Sequence, residues 1–145
     1  MRAILQRVQQ GRVIVNSNTI AEIQKGLVIL LGVEKGDNPE KSTSLAHKIA
    51  NLRIFGDKEG KMNLSLLDIQ GGAIVVSQFT LMADTRKGNR PSFIDAAPPD
   101  LASPLVDHFA GQLTALGVAT QTGEFGAHML VEIANDGPVT IQLQV

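Results

Sequence analysis

The stretch "GLVILLGV" (Gly26–Val33) decides the fold. It is apolar at consecutive positions, so both faces of the extended chain are hydrophobic, as in a strand covered on both sides. A second run, "AIVVSQFTL" (Ala73–Leu81), begins in the same way and then enters polar residues. Two such strands need other elements packed on their faces, which calls for helices outside a sheet.

The surrounding sequence supplies those elements. Residues 2–9 alternate and predict a first strand; residues 12–16 predict a second. Asn16-Ser17-Asn18 is a hairpin turn into a strand over 19–23. Asp37-Asn38-Pro39-Glu40 is a helix start, with Asn38 as cap, Pro39 at the first helical position and Glu40 near the positive end. Leu45, Ile49 and Leu52 form the apolar stripe of this helix. Arg53-Ile54-Phe55 reads as a short strand, and Gly56–Lys61 as a polar loop. The second buried strand spans Ala73–Leu81. Residues 83–100 form a long loop carrying Arg86, Lys87 and Arg90, and long loops inside compact domains are usually functional or mobile. A second helix is expected over roughly 101–116, with Leu101, Leu105, Phe109, Leu113 and Leu116 buried, Pro104 in the first turn and Gly117 as the stop. Strands near 118–122 and 128–134 follow. Asn135-Asp136-Gly137-Pro138 is a turn into the final strand, Ile141–Val145. The pattern predicts one α/β domain over 1–145, with a mixed, curved or barrel-like sheet and two main helices packed outside.

Composition narrows the function. The 145 residues are 43% hydrophobic and 19% charged, which suits a sizeable core, and with 3% aromatics that core is aliphatic. The absence of Cys excludes a disulfide framework, a thiolate zinc site and a cysteine nucleophile. A net charge of −1 argues against a broad basic nucleic-acid coat, although a local patch such as Arg86–Arg90 remains compatible with it. No apolar run reaches membrane-spanning length and the first residues lack a signal-peptide stretch, so a cytoplasmic protein without a membrane partner is expected. Metal-binding histidine spacing, a Walker loop, a dinucleotide-binding glycine motif and a nucleophile elbow are all missing, so neither a metal nor a nucleotide cofactor is expected.

Three groups could carry chemistry. Ser77-Gln78-Phe79-Thr80 places two hydroxyls and an amide at a strand terminus, where free backbone N–H groups can hold a developing oxyanion. A strand edge with satisfied polar groups is the plainer reading. Gly137-Pro138 with Thr140 is ordinarily a trans turn; held rigidly, it could present carbonyls or crowd one face of a stereocentre. Arg86, Lys87 and Arg90 read as a solvated loop or as phosphate contacts. The histidines carry less: His47 lies off its helix stripe, His108 adjoins Phe109, and His128 would share a strand face with Glu132.

Ser77-Gln78-Phe79-Thr80-Leu81 and Asn135-Asp136-Gly137-Pro138-Val139-Thr140 together resemble the two signature motifs of the D-aminoacyl-tRNA deacylase family. "QRV", "GLVILLGVEKGD", "RIFGDKEGKMN", "RKGNRPSF" and "TQTGEFGAHM" resemble the same family in order, over nearly the whole chain. The resemblance implies hydrolysis of the ester joining a D-amino acid, or mischarged glycine, to the 3′ end of tRNA. It implies a homodimer in which a cis Gly137-Pro138 enters the partner's site and rejects L side chains, braced by Arg7. It further implies that Ser77, Gln78, Phe79 and Thr80 form the catalytic centre, and that Phe125 and Met129 line the pocket of the terminal adenine. In the chemical step, either the Thr80 hydroxyl or the ribose 2′-OH of the tRNA would act, and the RNA-assisted route is favoured because no base neighbours Thr80. Two alternatives stand beside this reading: a non-catalytic tRNA-end binding module, and a related editing deacylase with a different amino-acid preference.

Overall fold

The computed structural model describes residues 1–145. The chain opens with one strand where the sequence suggested two: β1 runs Arg2–Val15. Gln9-Gln10-Gly11 breaks the alternation without breaking the strand. A Cβ on Gly11 would lie 2.5 Å from Val28 Cγ2, so the missing side chain lets β1 pass closely over its neighbour. Asn16 and Ser17 take left-handed φ angles of 49° and 65°, as a tight hairpin turn requires. The returning chain forms β2 (Asn18–Ile23) and β3 (Gly26–Gly32), which lie in sequence along one edge of β1, both antiparallel to it.

The first helix, α1 (Pro39–Asn51), starts as expected: Asn38 accepts a hydrogen bond from the Lys41 N–H at 3.0 Å, with Pro39 at the first position. A small hairpin follows, β4 (Phe55–Gly56) with β5 (Met62–Leu64). β6 (Gly72–Ser77) is parallel to β3, and β7 (Ala119–Thr122) is parallel to β6. The strand order is β2-β1-β3-β6-β7, with β8 (Leu130–Gln144) on the other edge of β1. The sheet curves until its ends approach. The Gln121 side chain on β7 accepts from the Glu22 N–H at 2.9 Å and donates to the Glu22 carbonyl at 2.6 Å, so one amide takes the place of a strand partner. The result is the mixed, nearly closed sheet with helices outside that the sequence predicts.

Period-two alternation divides the core. Leu27, Ile29, Leu31, Ala73 and Val75 point to the helices, where Leu45, Ile49, Phe109 and Leu113 meet them. Val28, Ile74 and Val76 point the other way, into the curved sheet with Val8, Val13, Ala21 and Ile23. Each large side chain buried here is worth about 1.5–3 kcal/mol.

Several expectations need correction. β6 stops at Ser77; Gln78 has φ −142° and ψ 78°, and Phe79–Met82 is a 3₁₀ turn. The second helix, α2, runs Pro99–Ala115, so Pro104 lies inside it. Its buried face is Ala102, Val106, Phe109, Ala110 and Leu113, while Leu101 is 58% exposed. The leucine spacing misled because α2 packs on α1, whose own buried face includes Ala46 and Ala50. Small residues allow that approach, and larger ones sit at the margin.

The Asn135–Pro138 segment does not reverse the chain. Asn135 pairs with Val8 and Thr140 with Gln6, so four residues of β8, Asp136–Val139, stand opposite Arg7 alone. Both flanks pair with the same strand in the same direction. The turn-forming residues therefore make a bulge within β8, where Gly137 has φ 118° and the Gly137–Pro138 bond is cis.

Candidate active site

The parallel strands β3 and β6 end side by side, with Leu31 opposite Ser77. Ligands of α/β sheets commonly bind beyond such carboxyl ends. The Gln78 N–H donates to the Leu31 carbonyl at 2.8 Å, which ties the start of the 3₁₀ turn to β3. As the first N–H groups of a helical turn, those of Phe79 and Thr80 have no partner within it.

Beside this turn lies a cavity of about 520 Å³, mostly apolar, whose lining includes Ser77, Gln78, Phe79, Phe125, His128 and Met129. Its far wall includes Ala96, Ala97 and Pro99. The segment leading to β8 is shaped by its glycines. Gly123 donates to the Val75 carbonyl at 2.9 Å, and a Cβ on it would lie 2.6 Å from the Met129 sulfur. Met129 can lie against the backbone there only because position 123 has no side chain. Gly126 turns with φ 77° and precedes Ala127 and His128 on the wall. Phe79 is 59% exposed and meets Phe93 edge-to-face at 5.1 Å.

The sequence-derived site residues thus fall into two groups. Ser77, Gln78, Phe79, Phe125 and Met129 share the cavity. Thr80 follows on the same turn but is not part of the wall; its hydroxyl accepts from the Gln78 side-chain amide. Gly137, Pro138 and Arg7 lie elsewhere. Arg7 pairs with Leu27, four residues up β3 from Leu31, which separates it from the cavity floor by about 13 Å. Arg7 holds the bulge: Nε donates to the Asp136 carbonyl at 3.2 Å and lies 3.1 Å from its carboxylate, and Nη1 donates to the Ile54 carbonyl at 2.6 Å. Gly137 and Pro138 are exposed.

His128 is the residue that sequence reading undervalued. It precedes β8 and lines the cavity, where it was expected on a strand face with Glu132. Its place between Phe125 and Met129 was the available signal. His108, by contrast, bonds the buried Ser42 hydroxyl at 3.0 Å between the two helices.

An apolar slot flanked by an amide, a hydroxyl and free N–H groups suits a flat, mostly apolar ligand that carries a reacting carbonyl at its edge. The profile described as D-Tyr-tRNA(Tyr) deacylase matches residues 4–144, and the chain belongs to that family. A D-aminoacyl-tRNA deacylase of Roseiflexus sp. (strain RS-1) is 61% identical over 143 residues, covering 99% of this chain and 92% of the relative. One from Thermosipho africanus is 54% identical, covering 99% and 96%. Among solved structures, the c-Myc DNA Unwinding Element Binding Protein superposes with a TM-score of 0.95 at 39% identity, covering 100% of this chain and 99% of that one. A probable eukaryotic D-amino acid tRNA deacylase shares the fold, with a TM-score of 0.86 at 18% identity.

Proposed function

We propose that this protein, acting as one domain over residues 1–145, hydrolyses the ester between a D-amino acid and the 3′ end of tRNA, releasing free tRNA and the D-amino acid. The observation that carries the reading is the Ser77–Thr80 turn at the mouth of a cavity flanked by Phe125 and Met129, in a chain of this family. The terminal adenine stacks on the Phe125 ring, as aromatic faces stack bases. That leaves the ester near the turn. The N–H groups of Phe79 and Thr80 then stabilise the oxyanion, and the ribose 2′-OH orients the attacking water.

Gly137 and Pro138 serve as the stereochemical filter. Their exposed position, away from their own chain's cavity, supports delivery into the cavity of a second copy, and hence a homodimer. A backbone obstacle at the α-carbon admits hydrogen and rejects an L side chain. A hydrophobic pocket would separate substrates differing by a methylene by only about 1–3 kcal/mol. Glycine, with no side chain to reject, passes the same filter as a second substrate. The work is cytoplasmic quality control of translation, and no helix here is long and apolar enough to cross a membrane.

The test is hydrolysis of matched D-, L- and glycyl esters of tRNA, with and without the terminal 2′-OH. Cleavage of the D and glycyl esters, sparing of the L ester, and loss of activity without the 2′-OH are expected. D cleavage that survives removal of the 2′-OH would retain the filter and transfer the chemistry to a protein group. Stable D and glycyl esters would end the enzyme reading in favour of nucleic-acid binding without turnover, a function in keeping with the name of the 39%-identical structure.

A further inference from the structure

The basic tip of the long loop has no part in the chemistry above, and its cations are not equivalent. Arg86 is already engaged: Nε and Nη2 lie 2.9 and 2.7 Å from the two Asp84 carboxylate oxygens, and its backbone N–H is 3.0 Å from the first. The hydrogen bonds from the Arg86 side chain and backbone hold the Asp84 carboxyl well below the usual carboxylate range. Lys87 and Arg90 are exposed and make neither an ion pair nor a side-chain hydrogen bond. Gly88, with φ 69°, turns the backbone between them.

The base of this tip is closed. Asp84 and Ser92 exchange both backbone hydrogen bonds, at 2.8 and 2.9 Å, closing the segment between them. Immediately after this closure Phe93 meets Phe79, and Ala96 and Ala97 join the cavity wall. Seven residues lie between Asp84 and Ser92. An arm of half that length stands no more than about 12 Å from its base. Lys87 and Arg90 therefore lie within about 12 Å of a closure that adjoins the cavity wall, while Arg86 and Asp84 brace the arm.

We propose that Lys87 and Arg90 bind the phosphates of the last few nucleotides of the tRNA 3′ end. This rests on the functional reading above and adds a second contact region to it. An adenine in the cavity leaves the preceding phosphates at the rim, and a rise of about 3.4 Å per nucleotide puts several within reach of the arm. Phosphate contacts carry no sequence information. The pair raises affinity equally for all tRNAs and leaves discrimination between D and L esters unchanged.

The test is the Lys87→Gln/Arg90→Gln double variant, assayed on D-aminoacyl-tRNA across a salt series and on a D-aminoacyl ester of adenosine, which has no phosphate. Two lost contacts to a single strand make the slope of log(kcat/KM) against log salt shallower by about 1.4. Between 50 and 200 mM salt the parent should therefore lose about sevenfold more activity on tRNA than the variant. On the adenosine ester the two proteins should be equal. An unchanged salt slope on tRNA would overturn the proposal, as would an equal loss on both substrates. A parent that cleaves neither ester would overturn the functional reading itself, and this is separately visible because it requires no variant.

Discussion

The side-chain amide of Gln78 donates to the hydroxyl of Thr80, two residues further along the same turn. A carboxamide is not a base in either orientation, so the partner of this hydroxyl cannot remove its proton. The contact orients Thr80 without activating it, and nucleophilic threonine needs an adjacent base.

Thr80→Ala should therefore keep kcat within about tenfold of the parent, whereas removing a true nucleophile from an acyl-transfer site lowers kcat by about 10⁴-fold or more. Single-turnover hydrolysis of D-aminoacyl-tRNA distinguishes the two. A fall to the uncatalysed rate with tRNA binding intact would sink the RNA-assisted route.

Phe125→Ala should act on binding. The ring is 38% exposed at the cavity, so its removal leaves the core intact. Base stacking on an aromatic is worth about 1–3 kcal/mol, so KM should rise between about 5-fold and 150-fold. Steady-state kinetics beside a thermal melt provide the check, and an unchanged KM would remove the adenine from this ring.

Asp37→Asn should destabilise the protein. The Met1 ammonium lies 2.8 Å from the Asp37 carboxylate, and both are shielded from solvent. Burial pushes the Asp37 pKa up, but hydrogen bonds from the ammonium, the Glu34 N–H and Lys41 outweigh it, and the net shift is below the ordinary 3.8. A depressed carboxylate pKa stabilises the fold above the unfolded-state value, and that stability is lost as pH falls through the folded-state value. Removing one partner of a buried pair costs about 3 kcal/mol. Urea unfolding at neutral pH should show a loss of this order, and the deficit relative to the parent should shrink in acid, below the ordinary aspartate range. A deficit independent of pH would contradict the ion pair.

Two glycine-to-alanine substitutions should have opposite signs. A Cβ on Gly26 would lie 1.9 Å from the Gly72 carbonyl oxygen, in the rigid pairing of β3 with β6. Gly26→Ala should cost about 1–3 kcal/mol or more, because an overpacked core must shift backbone. Gly111 lies within α2 with open space around it, and Gly111→Ala should stabilise by about 0.5–1 kcal/mol. Chemical denaturation of both variants reads the two signs directly.

Much of this architecture is legible in the sequence because burial writes itself into periodicity. Val28 and Ile29, or Ile74 and Val75, point to opposite apolar layers, and their runs read directly as doubly covered strands. Asn38 announced α1 through a local hydrogen bond. What failed was non-local. Asn135–Pro138 carries turn chemistry, but pairing with β1 on both sides converts it into a bulge. The α2 face was misjudged because close helix contact selects alanine at Ala102 and Ala110, which a search for large residues overlooks. The grouping of Ser77 with Phe125 and Met129 came from family resemblance, since no local pattern joins residues so far apart. His128 was assigned to a strand face because its place on the cavity wall depends on where Gly126 turns the chain.

The chain ends meet. The Met1 ammonium donates to the Val145 carbonyl at 3.0 Å, and the Val145 N–H donates to the Met1 carbonyl at 3.1 Å. Arg2 and Gln144 continue the antiparallel ladder inward. A force applied at the two ends therefore acts across this ladder, in the direction of its hydrogen bonds, and loads the pairs one after another. The seam between β1 and β8 opens like a zip, at lower force than strands dragged lengthwise past one another. Beyond the side-chain hydrogen bond from Thr140 to Gln6 comes the Arg7 clamp on Asp136, so under tension the bulge carrying Gly137 and Pro138 is reached before the strands that floor the cavity are disturbed.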